Sequence, residues 1–242
     1  MAVGFLTAVP LPGRRGLRAG ELGMAVAWFP VVGILVGLVG AGVDWAARAA
    51  WGDAHLAAAC VLVAWLGLTG GLHVDGFMDT ADAYFSHRDA QGMMEVMRDS
   101  RAGALGVAAG VALLLIKFAA LAALAPGTRW AAITLAPGAA RAGLALGIVR
   151  FPYARSQGMG AGFATEGRAR HALLAIALAA GGAALLLGWW GLGALGTALT
   201  VAWLCGAYWR RRLGGVTGDV YGAMNEAAEL AALLLLLGGQ AR

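Results

Sequence analysis

Charge is scarce in this sequence. Only 13% of its 242 residues are Asp, Glu, Lys or Arg, against roughly 25% in soluble domains. With 60% hydrophobic residues and a mean hydropathy of +0.74, that shortage excludes an ordinary soluble domain and points to an integral membrane protein. Cysteine is nearly absent as well. Cys60 and Cys205 each sit in an apolar run, which excludes a disulfide framework, and no histidine is spaced to complete a thiolate zinc site. Lysine occurs once and no G-x-x-x-x-G-K-[ST] run exists, so nucleotide hydrolysis of the P-loop type is excluded. The opening MAVGFLTAVPLPGRR has no cation ahead of its short apolar run and does not read as a cleaved signal peptide. No shift in composition divides the chain, which reads as one membrane-embedded domain over residues 1–242.

A net charge of +5 suggests nucleic acid in a soluble protein, but here the arginines lie at the ends of hydrophobic runs, where they set topology. Nucleic acid is not an expected partner; the lipid bilayer is, with association into a homo-oligomer left open. The apolar runs predict an all-α polytopic bundle of about six to seven transmembrane helices: 24–47, 56–72, 103–125, 130–149, 172–190 and 192–209. A last segment to Leu237 either spans or lies in the interface. The segment before Leu11 either lies on the membrane or tucks into the bundle. Gly33, Gly37 and Gly40 are spaced to let a neighbouring helix approach. The tight link of the 172–209 hairpin is placed around Gly191. Lys117 and Arg141 fall deep in apolar helices. The lysine either faces a polar interior or snorkels to the interface, and the arginine faces inward toward an acidic partner.

Against that background one stretch stands out, Gly70 to Gly106. Five of the eight aspartates, Asp75, Asp79, Asp82, Asp89 and Asp99, fall inside it. On a helix, Asp75, Asp79 and Asp82 stand at i, i+4 and i+7 and share a face that repels itself unless a cation occupies it. An all-oxygen set of this kind suits Mg²⁺, which takes one or two carboxylates and completes its shell with water and phosphate oxygens.

Two more polar stretches follow. Residues 150–163 bring Arg150, Arg155, Gly158, Gly160 and Gly162, and residues 214–229 bring Thr217, Asp219, Asn225, Glu226 and Glu229, with Asp219 and Glu226 on one face at i and i+7. With the turn Arg14, Arg15, Arg18 on the cytoplasmic side, alternate crossings put every arginine-rich loop inside and leave only Arg48 and Arg129 outside. All three polar stretches then share the cytoplasmic face. Carboxylates for a metal, arginines for phosphate charge and glycine backbone for close approach are the parts that phosphoryl transfer requires.

The motifs H-V-D-G-F-M-D-T-A-D from His73, M-R-D-S-R-A-G-A-L-G from Met97, P-Y-A-R-S-Q-G-M-G from Pro152 and G-G-V-T-G-D-V-Y-G-A-M-N-E-A-A-E from Gly214 resemble, in order and over nearly the whole chain, the cobalamin synthase family of adenosylcobinamide-GDP ribazoletransferases. The resemblance implies an inner-membrane, Mg²⁺-dependent enzyme of cobalamin biosynthesis. It joins adenosylcobinamide-GDP to α-ribazole, or its 5′-phosphate, and releases GMP. It further implies Asp75, Asp79 and Asp82 as metal ligands, and Asp99 or one of the clustered aspartates as the base that accepts the ribose 3′-hydroxyl proton. Arg98, Arg101 and Arg155 would hold phosphate. Asp219 and Glu226 would be further ligands or sugar contacts, and His73, Gly158 and Thr217 would complete the substrate contacts.

Two rivals remain at this level. A CDP-alcohol phosphotransferase also places aspartates on membrane helices, but its pattern fails where Asp75-Gly76 is followed by Phe77, Met78 and Asp79. A transporter would carry midplane charge and paired repeats, and no internal repeat is evident.

Overall fold

In a bilayer the backbone finds no hydrogen-bond partner outside its own segment, so uncharged runs fold as helices. The computed structural model describes residues 1–10, 20–155, 157–158 and 160–239, and no β-strand occurs among them. The expected basic turn Arg14, Arg15, Arg18 lies outside the described residues, as do Ser156 and Met159 of the third motif. The helices are α1 (Ala2–Leu6), α2 (Glu21–Ala27), α3 (Phe29–Trp51), α4 (Ala54–Thr69), α5 (Leu72–Phe85), α6 (Ala90–Val96), α7 (Ala104–Ala123), α8 (Pro126–Arg150), α9 (Ala161–Glu166), α10 (Ala169–Leu213) and α11 (Gly218–Gly238).

Among the described residues, α3, α7, α8, α10 and α11 are long and apolar enough to cross a membrane; the α4–α5 pair, bent by 90°, adds a sixth crossing if taken as one. This is a multi-pass membrane protein. Run straight, the 45 residues of α10 would extend about 67 Å, more than twice the hydrocarbon core. Instead the chain folds back at Gly188 (φ 55°, ψ −132°), and Gly191 presses on the backbone of Ala183. Counting both arms, the crossings number six or seven.

Several expected boundaries move. The run 24–47 divides, because Met24 belongs to α2 and the crossing itself begins at Phe29 with Pro30 in its first turn. The segment 56–72 ends at Thr69, where Gly70 (φ 61°) and Gly71 (φ 69°) take the left-handed conformation and turn the chain through a right angle into α5. The hairpin link falls at Gly188 rather than Gly191. The first residues tuck into the bundle, with Leu6 fully buried and the Phe5 ring 5.8 Å from Phe29 and 4.3 Å from Phe163. The last segment forms a helix long and apolar enough to span, and it also carries the 218–229 motif.

α8 is the hub, buried along almost its whole length against α3, α10 and α11. Gly33 and Gly37 of α3 lie directly against the backbone of Pro137 and Thr134. A Cβ at Gly37 meets the Thr134 carbonyl, so Gly37→Ala forces α3 and α8 apart and is expected to cost about 1–3 kcal/mol. The thermal midpoint in detergent should fall, whereas Gly42→Ala in the same helix, with no atom within 4 Å of the added Cβ, should leave it unchanged.

Among the described residues, the buried Lys, Arg, Asp and Glu side chains inside the bundle are paired. At one end Arg129, read above as a loop charge, is buried. Its guanidinium donates to Asp44 at 2.6 and 2.8 Å and to the carbonyls of Leu121 (2.5 Å) and Ala54 (3.4 Å). Deeper, Lys117 faces inward: its Nζ donates to Glu226 at 2.5 Å and Glu229 at 2.6 Å, both on α11. Arg141 lies 3.8 Å from the other oxygen of Glu229 and donates to Pro137 O at 3.1 Å. Two cations and two anions thus form a neutral quartet within the bundle.

Candidate active site

The end of the bundle away from Arg129 gathers the polar stretches. Tyr153 and Val216 pair as an isolated bridge, with Ala154 N donating to Val216 O and Val216 N to Pro152 O, so the second and third stretches are stitched together. The hydroxyl of Thr217 lies 3.5 Å from the sulfur of Met97, which brings in the first.

Asp75 and Asp79 stand one turn apart on α5. Gly76, between them, faces the Asp219 backbone so closely that a Cβ would sit 2.8 Å from its carbonyl oxygen, which fixes α5 against the start of α11. Asp79 is half-buried and within electrostatic reach of Asp75, Asp82 and Asp219, with Arg155 as the offsetting cation. Arg155 Nη2 lies 2.8 Å from Asp219 Oδ2. Thr217 caps α11 by accepting from Val220 N at 3.2 Å, and its hydroxyl lies 3.3 Å from the same Asp219 oxygen.

Asp82 is turned to another task. Its oxygens accept from Gly103 N (2.8 Å) and Gly106 N (2.6 Å), so the carboxylate caps the N-terminus of α7, where orphan donors and the helix dipole favour an anion. Asp75 and Asp79 therefore stand with Asp219 opposite, rather than as a set of three with Asp82. No group of three or more His, Cys, Asp or Glu side chains suited to a metal occurs among the described residues. A hard cation that needs only one or two carboxylates still fits the donors present, since Asp75 and Asp79 offer oxygen alone and repel one another without a cation.

Other expected residues go elsewhere. Glu226 lies about 10 Å along α11 from Asp219 and is held by Lys117. Asp99 sits on an exposed turn, where side-chain hydrogen bonds from Arg101 (3.0 and 2.7 Å) and one from its backbone N–H hold the carboxyl down at about 2. Both side chains are solvent-exposed, as is Arg98. His73 is buried and lines both the small hollow at the quartet and the one at the site.

Two hollows meet at Asp75. One, of about 290 Å³, is lined by Phe5, Leu72, His73, Asp75, Leu144, Ile148, Tyr153, Arg155, Gly158, Asp219 and Tyr221 among others. The second, of about 640 Å³, opens between residues 5–8 and the α4–α5 bend, and it shares Phe5, Leu72 and Asp75 with the first. Tyr153 and Tyr221, absent from the sequence reading, stack with centroids 5.9 Å apart. Burial pushes the Tyr153 phenol above its ordinary value, with neighbouring Arg155 opposing. The signal that could have found them is an aromatic inside each glycine-bearing polar stretch, P-Y-A-R and V-Y-G.

A helical membrane protein of this build, with carboxylates, an arginine and bare glycine backbone around a hollow at one end of the bundle, belongs to the class of polytopic proteins equipped to handle phosphorylated ligands. A family model described as cobalamin-5-phosphate synthase matches residues 1–237. Relatives named adenosylcobinamide-GDP ribazoletransferase include one from Desulforamulus reducens, 41% identical and covering 99% of this chain and 96% of its own. Another from Roseiflexus sp. is 40% identical over 97% and 87% of the two chains, and one from Ectopseudomonas mendocina is 40% identical over 98% and 96%. No solved structure matches. The chain belongs to the cobalamin-5-phosphate synthase family.

Proposed function

We propose that this protein is an adenosylcobinamide-GDP ribazoletransferase of cobalamin biosynthesis, working from the cytoplasmic face of the inner membrane. The observation that carries this reading is the meeting of Asp75, Asp79, Asp219 and Arg155, from three separated polar stretches, in a chain that is 41% identical to a ribazoletransferase over 99% of its residues. In the reaction, the 3′-hydroxyl oxygen of α-ribazole, or of its 5′-phosphate, forms a bond to the phosphorus next to cobinamide. The bond from that phosphorus to the bridging oxygen breaks and GMP leaves with the electron pair. The hydroxyl proton passes to a carboxylate.

Asp75 and Asp79 would hold Mg²⁺, which when bound neutralises diphosphate oxygens. Asp75, at the junction of the two hollows, would take the proton, whereas Asp99 is held charged and weakly basic by Arg101. Arg155 steadies phosphate charge and is itself aligned by Asp219, which Thr217 orients in turn. Gly158 and Gly160 line the hollow with bare backbone against Tyr153 and Tyr221.

The test is purified protein in detergent with adenosylcobinamide-GDP, α-ribazole and Mg²⁺. GMP and adenosylcobalamin should appear in equal amounts. Absence of GMP under these conditions, in a protein shown to be folded, overturns the reading.

A further inference from the structure

We infer that the two hollows divide the substrates between them. The smaller one takes the acceptor, a nucleoside with an apolar bicyclic aromatic base, and the open groove beside it takes the corrinoid donor, so that the reacting atoms meet at Asp75. This rests on the transferase reading above.

Size is the first argument. A corrinoid carrying a nucleotide is several times larger than a nucleoside. A volume of about 290 Å³ lies at the lower end for small-ligand sites, while the neighbouring groove of about 640 Å³ is open to one side. The bulk of the donor is admitted only there. Asp75 lies on the wall that both hollows share and Arg155 lines the small one, so an acceptor hydroxyl presented from the small hollow and the phosphate end of a donor lying in the groove come together between Asp75 and Arg155.

Chemistry is the second. Leu72, Leu144, Ile148 and Phe5 with the Tyr153–Tyr221 pair give the small hollow an apolar, aromatic part, while His73, Asp75, Arg155 and Asp219 line the rest. Against the apolar, aromatic part a guanine base would leave several donors and acceptors unpaired, whereas a benzimidazole brings one acceptor nitrogen on an otherwise apolar ring. Among the described residues that line it, the hydroxyl of Tyr221, a residue 4% exposed, makes no hydrogen bond, and neither does Arg155 Nε. A buried hydroxyl left unpaired costs about 1–3 kcal/mol, which a ring nitrogen or ribose hydroxyl of the acceptor would relieve.

The glycine loop is shaped to these rings. A Cβ at Gly158 (φ 142°) would lie 2.6 Å from the Tyr153 hydroxyl, and one at Gly160 would lie 3.0 Å from each ring. Any side chain at either position displaces the tyrosines, which accounts for glycines on both sides of residue 159.

Steady-state kinetics with each substrate varied in turn tests the assignment. Tyr221→Phe removes one oxygen and should raise the KM for α-ribazole about 3- to 10-fold, the worth of one neutral hydrogen bond, with the KM for adenosylcobinamide-GDP unchanged. Ile148→Phe, which fills the hollow, should raise the acceptor KM further, again without moving the donor's; an unchanged donor KM also shows that the variant is folded. A rise in the donor KM alone would place the guanosine there instead, and no change in either would empty the hollow of substrate; both overturn the assignment while leaving the transferase standing. A parent protein that releases no GMP removes the transferase reading itself, and this assignment with it.

Discussion

Asp79→Asn is expected to cut GMP release by about 10²- to 10⁴-fold while raising the temperature at which the metal-free protein unfolds in detergent. The two effects have one cause. Asp79 is half-buried among Asp75, Asp82 and Asp219, with Arg155 to offset them, and each like-charge neighbour at helical spacing costs about 0.2–0.5 kcal/mol. A fold has no use for that crowding unless a cation and a phosphorylated substrate are to fill it, so asparagine, similar in shape and neutral, relieves the repulsion and removes the function. Asp82→Asn should behave in the opposite way. Its two oxygens cap α7 through Gly103 and Gly106, and an amide offers a single acceptor, so about 1 kcal/mol of stability should be lost with a much smaller fall in turnover. If Asp79→Asn destabilises the protein, or turns over normally, the carboxylates of α5 are structural. Turnover assays paired with thermal unfolding of both variants separate these outcomes.

The contrast between Asp79 and Asp82 also shows how far spacing can be read. Helical periodicity correctly puts both on a shared face with Asp75, because that depends on the local backbone alone. Which of them stays free depends on the start of α7, where the N–H groups of Gly103 and Gly106, 21 and 24 residues from Asp82, need a cap, and no period encodes that. Gly33 and Gly37 were legible because a close helix contact demands small residues at that interval, and the Thr134 and Pro137 backbones do meet them. The right-angle bend at Gly70 and Gly71 was not, since two adjacent glycines announce a turn without its direction. The Tyr153–Tyr221 stack joins residues from different stretches through a loop whose glycines were legible as freedom but not as a fit to two rings. Glu226 shows the same limit from the other side: sharing a face with Asp219 says nothing of depth, and two turns further into the bundle the neighbour is Lys117.

That depth makes Lys117→Met the substitution expected to cost most stability, about 3–5 kcal/mol. Lys117 is 2% exposed and donates to Glu226 and Glu229, themselves 5% exposed, and Arg141 completes a neutral quartet. Removing the lysine leaves one buried carboxylate without compensation, in a site whose hollow of about 20 Å³ has room for roughly a single water. Methionine keeps the packing of the stem, so the loss reports charge rather than a cavity. The double variant Lys117→Met with Glu226→Gln restores neutrality and should recover most of the stability, because a buried ion pair exchanged for neutral groups of similar shape is often nearly without cost. His73, which lines both this hollow and the one at Asp75, carries the consequence upward: if the quartet holds α11 in place against α7 and α8, Lys117→Met should also lower turnover, and the double variant should restore it. Thermal unfolding and GMP release measured on both variants decide the matter. Should the double variant be no more stable than the single, lost contacts rather than uncompensated charge account for the damage, and the quartet is not the electrostatic unit described above.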